Sequence, residues 1–107
     1  LHVYLGVGYL EKVYENGLKH RLEKAGFKVQ TQVPIQICDE YGFVLGDYVA
    51  DMIVDGLIVE LKVVSTLLEV HIAQLINYLK ATGLQVGLLV NFGSEELQVR
   101  RLAANIY

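Results

Sequence analysis

At 107 residues the chain has room for one packed core and not for two. Hydrophobic residues make up 53% and charged residues 20%, with one proline and ten glycines, which excludes a disordered chain or a low-complexity linker. A net charge of −3, a lone cysteine (Cys38) and no apolar run near the ~20 residues of a membrane span argue against strong electrostatic targeting, a disulfide framework and a membrane helix.

The first element is helical. Leu10, Val13, Tyr14, Leu18, Leu22 and Ala25 recur at offsets of three and four, which makes one stripe on a helix. Gly26 ends it, and Lys24 complements the helix dipole in its last turn. Gly6 and Gly8 are expected to serve close packing or a bend. From Phe27 to Cys38 the period falls to two, so Val29, Thr31, Val33, Ile35 and Ile37 are expected on one face of a strand. Asp39–Gly42 reads as a turn, residues 43–55 as a second strand with a bulge near Gly46, and residues 57–63 as a third. Residues 66–83 return to helical spacing, with Leu68, Ile72, Leu75, Ile76 and Leu79 on one face and Gly83 beyond the end. Residues 84–93 form a continuous apolar strand, expected to be buried on both faces. Residues 97–107 read as a last strand near a sheet edge, followed by a frayed tail. The order is α-β-β-β-α-β-β, an α+β chain with a mixed sheet flanked by helices.

The stretch VADMIVDGLIVELKV, residues 49–63, is an apolar hairpin that keeps three charges. With Asp55-Gly56 as a two-residue turn, Val54 pairs with Leu57 and Asp51 falls opposite Glu60. Alternation puts Glu60 and Lys62 on one face, about 7 Å apart. At ~5 Å and an effective dielectric of ~20, two facing carboxylates repel by about 3 kcal/mol. A divalent cation between them would turn that repulsion into attraction, and an oxygen-only donor set suits Mg²⁺ or Mn²⁺.

Asp51, eight intervening residues and then Glu60-Leu61-Lys62 resemble the D…(D/E)xK signature of the PD-(D/E)XK nuclease superfamily, with Ala50 where a proline usually precedes the aspartate. Gly8-Tyr9-Leu10-Glu11-Lys12-Val13-Tyr14 further resembles the namesake motif of its GxxExxY family. HIAQLINYLK (residues 71–80) and GLLVNFG (residues 87–93) resemble that family's later motifs. The resemblance implies a single domain over residues 1–107 with a restriction-endonuclease-like three-layer core. The family carries more of the first helix upstream of Leu1, so that helix is expected to be truncated here. It also implies that Asp51, Glu60 and the main-chain carbonyl of Leu61 hold a metal, with Glu11 as a further ligand or water-holder. Lys62 would assist the attacking water and stabilise charge on the phosphate, while Gln74 and Tyr78 would complete the pocket wall. His2 and His71 are not expected to be essential ligands.

The expected activity is Mg²⁺- or Mn²⁺-dependent hydrolysis of phosphodiester bonds in DNA, less readily in RNA, by a cytoplasmic enzyme. The alternative is a nuclease-fold module that binds nucleic acid or a protein partner without cutting. Cutting both strands of a duplex would favour a homodimer, for which GLLVNFG and the C-terminal segment offer an apolar interface. No membrane partner is expected.

Overall fold

A computed structural model describes residues 1–104, and the frayed tail expected at the end of the chain falls, over 105–107, outside the described residues. A short helix α1 (His2–Leu5) precedes α2 (Glu11–Lys24), β1 (Val29–Cys38), β2 (Val44–Val54) and β3 (Leu57–Lys62). Helix α3 (Glu69–Thr82), β4 (Val86–Asn91) and β5 (Gln98–Ala103) complete the order. The helix break between α1 and α2 comes from the chain's own glycines. Gly6 (φ 69°) and Gly8 (φ 108°) hold left-handed backbone that other residues adopt at a cost. A Cβ on either would meet nothing within 4 Å, so they make a bend and not a close contact.

The five strands form one sheet in the order β1-β2-β3-β4-β5. The pairs β1–β2, β2–β3 and β4–β5 are antiparallel, whereas β3 and β4 run parallel and are joined across the sheet by α3. Two clusters of buried side chains cover the two faces. Tyr14, Met52, Val59, Leu61, Val90 and Phe92 pack on the α2 side, with Leu18 and Leu22 against them. Ala50, Ile58, Leu75, Tyr78, Leu79 and Leu89 pack on the α3 side. Strand β4 is buried on both faces, and β5 lies at the edge, as their sequences lead one to expect. Leu89 and Asn91 of GLLVNFG are fully buried within the fold, whereas Leu88, Val90 and Phe92 line an apolar hollow on the α2 side together with Leu97 and Val99.

Three further details differ from the sequence pattern. The α2 stripe is narrower, since Leu10, Val13 and Ala25 stay exposed and only Tyr14, Leu18 and Leu22 reach the sheet. The position beside Tyr14 instead buries the Glu15 carboxylate, 3% exposed, between Lys12 and Gln32. The residues from Val29 to Ile37 do not share one face. Val29 packs with the α2-side cluster and Val33 and Ile37 with the α3-side cluster, because Gln32 takes a left-handed conformation (φ 53°) that inverts the alternation. The bulge near Gly46 is present, where the register slips between Ile37–Gly46 and Cys38–Val44.

The turn at Asp55-Gly56 has positive φ at both residues (48° and 82°), the twist that suits a two-residue hairpin. It sets the register Val54–Leu57, Ile53–Ile58 and Met52–Val59. There the ladder stops. Strand β2 continues alongside β1, while Glu60, Leu61 and Lys62 are paired only with Leu89, Val90 and Asn91 of β4. The parting of β2 from β3 opens a cleft in the sheet, lined by the charged end of the hairpin.

Buried Asn91 braces the far side of this cleft. Its Oδ1 accepts from the Val64 and Gly93 amides (3.0 and 2.9 Å), and its Nδ2 donates to the Val64 carbonyl and to Gln98 Oε1 (both 2.9 Å). The backbone at Gly93 passes so close to Val64 that a Cβ would lie 2.4 Å from its nitrogen. Together these contacts fix the chain leaving Lys62.

Candidate active site

At the parting of β2 and β3, side chains take over the work of the ladder. The Asp51 amide donates to Glu60 Oε1 at 2.9 Å, and the Leu61 amide donates to Asp51 Oδ2 at 2.8 Å. Each carboxylate is therefore locked by a backbone donor on the opposite strand, with its other oxygen left over. Glu60 is 4% exposed and Asp51 is half-buried. Lys62, two residues along the same strand, donates from Nζ to Gln74 Oε1 on α3 at 3.2 Å. One turn further along α3, Tyr78 is buried and its ring lies 5.7 Å from that of Tyr48, tilted by 54°. Glu11 reaches the same cleft from the first turn of α2, where a negative charge suits the helix dipole.

The segment before Glu11 is pinned by the tyrosine three residues after it. The Tyr14 hydroxyl donates to the Gly6 carbonyl at 2.6 Å and accepts from the Tyr9 amide at 3.4 Å. Its ring stacks on Phe92 with centroids 4.8 Å apart. The left-handed Gly8, the acidic Glu11 and the buried Tyr14 thus act together: a bend, a side chain delivered to the cleft, and an anchor.

The electrostatics show that the charges meet. Burial first, and the neighbouring Asp51 charge second, push the Glu60 carboxyl up from its ordinary 4.5 to about 8. The same two causes in the same order push Glu11 up to about 7, with Lys62 opposing. The Tyr78 hydroxyl is raised by burial, then by the charges of Glu60, Tyr48 and Asp51. Glu11, Asp51, Glu60, Lys62, Gln74 and Tyr78, distant in sequence, are thus brought into one neighbourhood at the charged end of the hairpin. Among the described residues, no three His, Cys, Asp or Glu side chains close into a ready metal-ligating group. Asp51 Oδ2 and Glu60 Oε1 are each turned onto a backbone amide.

His2 and His71 make other bonds. The His2 ring is 2.9 Å from the Ser94 carbonyl through Nε2, and His71 Nδ1 accepts from the Leu68 amide at the start of α3. Several site residues carry no sequence signal. Gln32 and Glu15, bonded at 2.7 Å behind Asp51, look like ordinary solvated positions of an alternating strand and an amphipathic helix. Tyr48 belongs to the site because the strand inversion turns it towards α3, which periodicity alone does not reveal. Tyr48, Gln74 and Tyr78 also line an open groove of about 680 Å³ that runs from the cleft between the β1–β2 hairpin and α3, past Gln36, Asn77 and Lys80.

Known proteins bear on this geometry in three ways. The comparison with curated proteins finds no match. The fold is similar to the crystal structure of SSO0001, with a TM-score of 0.69 and 22% identity over 90% of this chain, which spans 50% of that one. At that identity the likeness concerns the fold alone, here a restriction-endonuclease-like one. The family model of the PD-(D/E)XK nuclease superfamily matches residues 1–102, almost the whole chain. The chain belongs to the PD-(D/E)XK nuclease superfamily.

Proposed function

We propose that this chain is a metal-dependent nuclease of the GxxExxY family, folded as one domain, that hydrolyses phosphodiester bonds in DNA. Members of the superfamily typically use divalent metals. One observation carries the reading: Asp51 and Glu60 lock each other through backbone donors, and Lys62 stands beside them in a cleft opened by the parting of two strands. A purely structural hairpin would gain nothing from facing carboxylates, which repel.

The donor set fits a hard cation. Asp51, Glu60 and the Leu61 carbonyl would hold Mg²⁺ or Mn²⁺, with Glu11 as a further acidic partner. The raised Glu60 and Glu11 carboxyls mark negative charge gathered without enough positive charge to balance it. A bound cation supplies that charge, polarises a phosphoryl oxygen and acidifies water. The chain's own residues do the rest. Glu11, in the first turn of α2 and close enough to Asp51 to feel its charge, is suited to hold the attacking water. Gln74 holds the Lys62 ammonium in place to stabilise the charge that builds on the phosphate. Tyr78 closes the wall, and the adjoining groove, with amide side chains and the Tyr48 ring, gives the strand a path into the cleft.

The test is calorimetric titration of Mn²⁺ and Mg²⁺ into the wild type and Asp51→Ala, followed by cleavage assays on single- and double-stranded DNA and on RNA. Binding that disappears in Asp51→Ala, with metal-dependent DNA cleavage lost in Lys62→Met, supports the reading. No metal binding by a folded wild type sinks it. The mild negative charge of the chain favours a second reading, in which the module binds a partner without cutting; binding of DNA without any turnover would select that one.

A further inference from the structure

The placement of the Asp51 carboxylate depends on a fault in the sheet between β1 and β2. Strands β1 and β2 pair from Val29–Val54 to Thr31–Met52 and again from Val33–Ala50, in one unbroken register that omits Gln32–Asp51. Across this gap both strands exchange faces. Met52 packs with the α2-side cluster and Ala50 with the α3-side cluster, although two residues of separation should keep them together. The same exchange separates Val29 from Val33 on β1.

The missing rung has a direct effect on the site. Ladder bonds alternate along a hairpin, and counting from the Val54–Leu57 turn pair, the Asp51 amide of a regular strand would point at β1. Here it is free to donate to Glu60 Oε1 at 2.9 Å, and the Asp51 carboxylate swings onto the Leu61 amide at 2.8 Å. Both locks of the carboxylate pair exist because β1 does not claim Asp51.

Left-handed backbone is unfavourable for glutamine and persists only where surroundings impose it. Gln32, at φ 53°, is otherwise exposed, and its side chain makes one bond: Nε2 donates to Glu15 Oε1 at 2.7 Å. Glu15 is buried, with its other oxygen held by Lys12 Nζ at 2.8 Å. A short bond to a buried carboxylate on a rigid helix is the kind of restraint that can hold a strand out of its preferred conformation. We propose that Gln32 and Glu15 are positioning residues: their hydrogen bond holds the strand inversion that releases Asp51 from β1 and turns it into the cleft. The geometry stands by itself; only the consequence for metal binding rests on the nuclease reading.

The experiment uses the metal-free ¹⁵N-labelled protein, with the amides of Asp51 and Leu61 followed by NMR, and Mn²⁺ affinity measured by calorimetry. Gln32→Ala is expected to shift both amides, speed their exchange with solvent and weaken Mn²⁺ binding about tenfold, the usual scale for a group one step behind a ligand. Gln32→Met, which keeps the length of the side chain but lacks the donor, is expected to do the same, and it carries the test where the alanine variant does not fold. Glu15→Gln keeps an acceptor for Gln32 and is expected to stay within about twofold to threefold of wild type, which simple loss of packing would not predict. Unchanged Asp51 and Leu61 amides in either Gln32 variant would overturn the proposal. A wild type that binds no Mn²⁺ would remove the nuclease reading, and the amide signals would still decide the role of Gln32.

Discussion

Glu60 and Glu11 hold their protons more tightly in the folded chain than in the unfolded one, where a carboxyl sits near 4.5. The stability they contribute is therefore full below that value and is lost as the pH climbs through about 7 and about 8. The melting temperature of the metal-free protein is expected to fall between about pH 5 and about pH 8 for this reason. Glu60→Gln keeps an acceptor for the Asp51 amide and removes the charge, so its melting curve should be flatter over the same range. A wild-type melting temperature that rises across this window would refute the assigned crowding of charge. Gly93 makes a separate prediction at the same scale. Alanine there would drive a Cβ into the Val64 backbone, at 2.4 Å from nitrogen and 2.6 Å from oxygen. Overpacking of this kind costs about 2 kcal/mol, or about 10 °C in a domain of this size, which thermal unfolding of Gly93→Ala would read directly.

Among the elements, α2 and the hairpin do most to place the site. Tyr14→Phe keeps the stacked ring on Phe92 and removes the bonds to Gly6 and Tyr9. It is expected to lower stability by about 1 kcal/mol and to raise hydrogen exchange at residues 6–10, the segment that leads into Glu11. Unchanged exchange there would mean that the glycine bend holds without its anchor. Much of this arrangement was legible in the residues themselves. The Asp55-Gly56 turn fixed the hairpin register, and that register alone put Asp51 against Glu60 and Lys62 on the face of α3. Helical spacing likewise put Gln74 and Tyr78 one turn apart. What could not be read was the inversion at Gln32, since period-two counting assumes that every residue keeps extended backbone. The burial of Glu15 was hidden for a related reason. Its partner lies 17 positions away, and helical periodicity assigns a carboxylate to water by default.

At the scale of the molecule, the described residues contain no helix long and apolar enough to cross a membrane. The groove beside the cleft has few cations, with Lys80 on its wall and Lys62 at its end. Binding to DNA through two or three phosphates would give a log–log salt dependence with a slope of about −2 to −3. Anisotropy titrations over a series of salt concentrations measure that slope. Tyr48→Ala in the same assay is expected to weaken single-stranded DNA several-fold, on the scale of one lost base stack, and to leave Mn²⁺ affinity unchanged. Equal DNA affinity in wild type and Tyr48→Ala would place the strand elsewhere on the surface.

The inversion at Gln32 and Asp51 also bears on how the hairpin finds its partner during folding. In a uniformly alternating hairpin, slippage by two residues returns every side chain to its proper face, so wrong pairings are nearly degenerate with the right one. Here β1 and β2 each change face once, and the two changes must coincide. A two-residue slip would set the left-handed Gln32 against regular backbone at Ile53 or Val49 and strand apolar side chains on the wrong layer. One irregular rung therefore makes the correct alignment unique along a ribbon of ten and eleven residues.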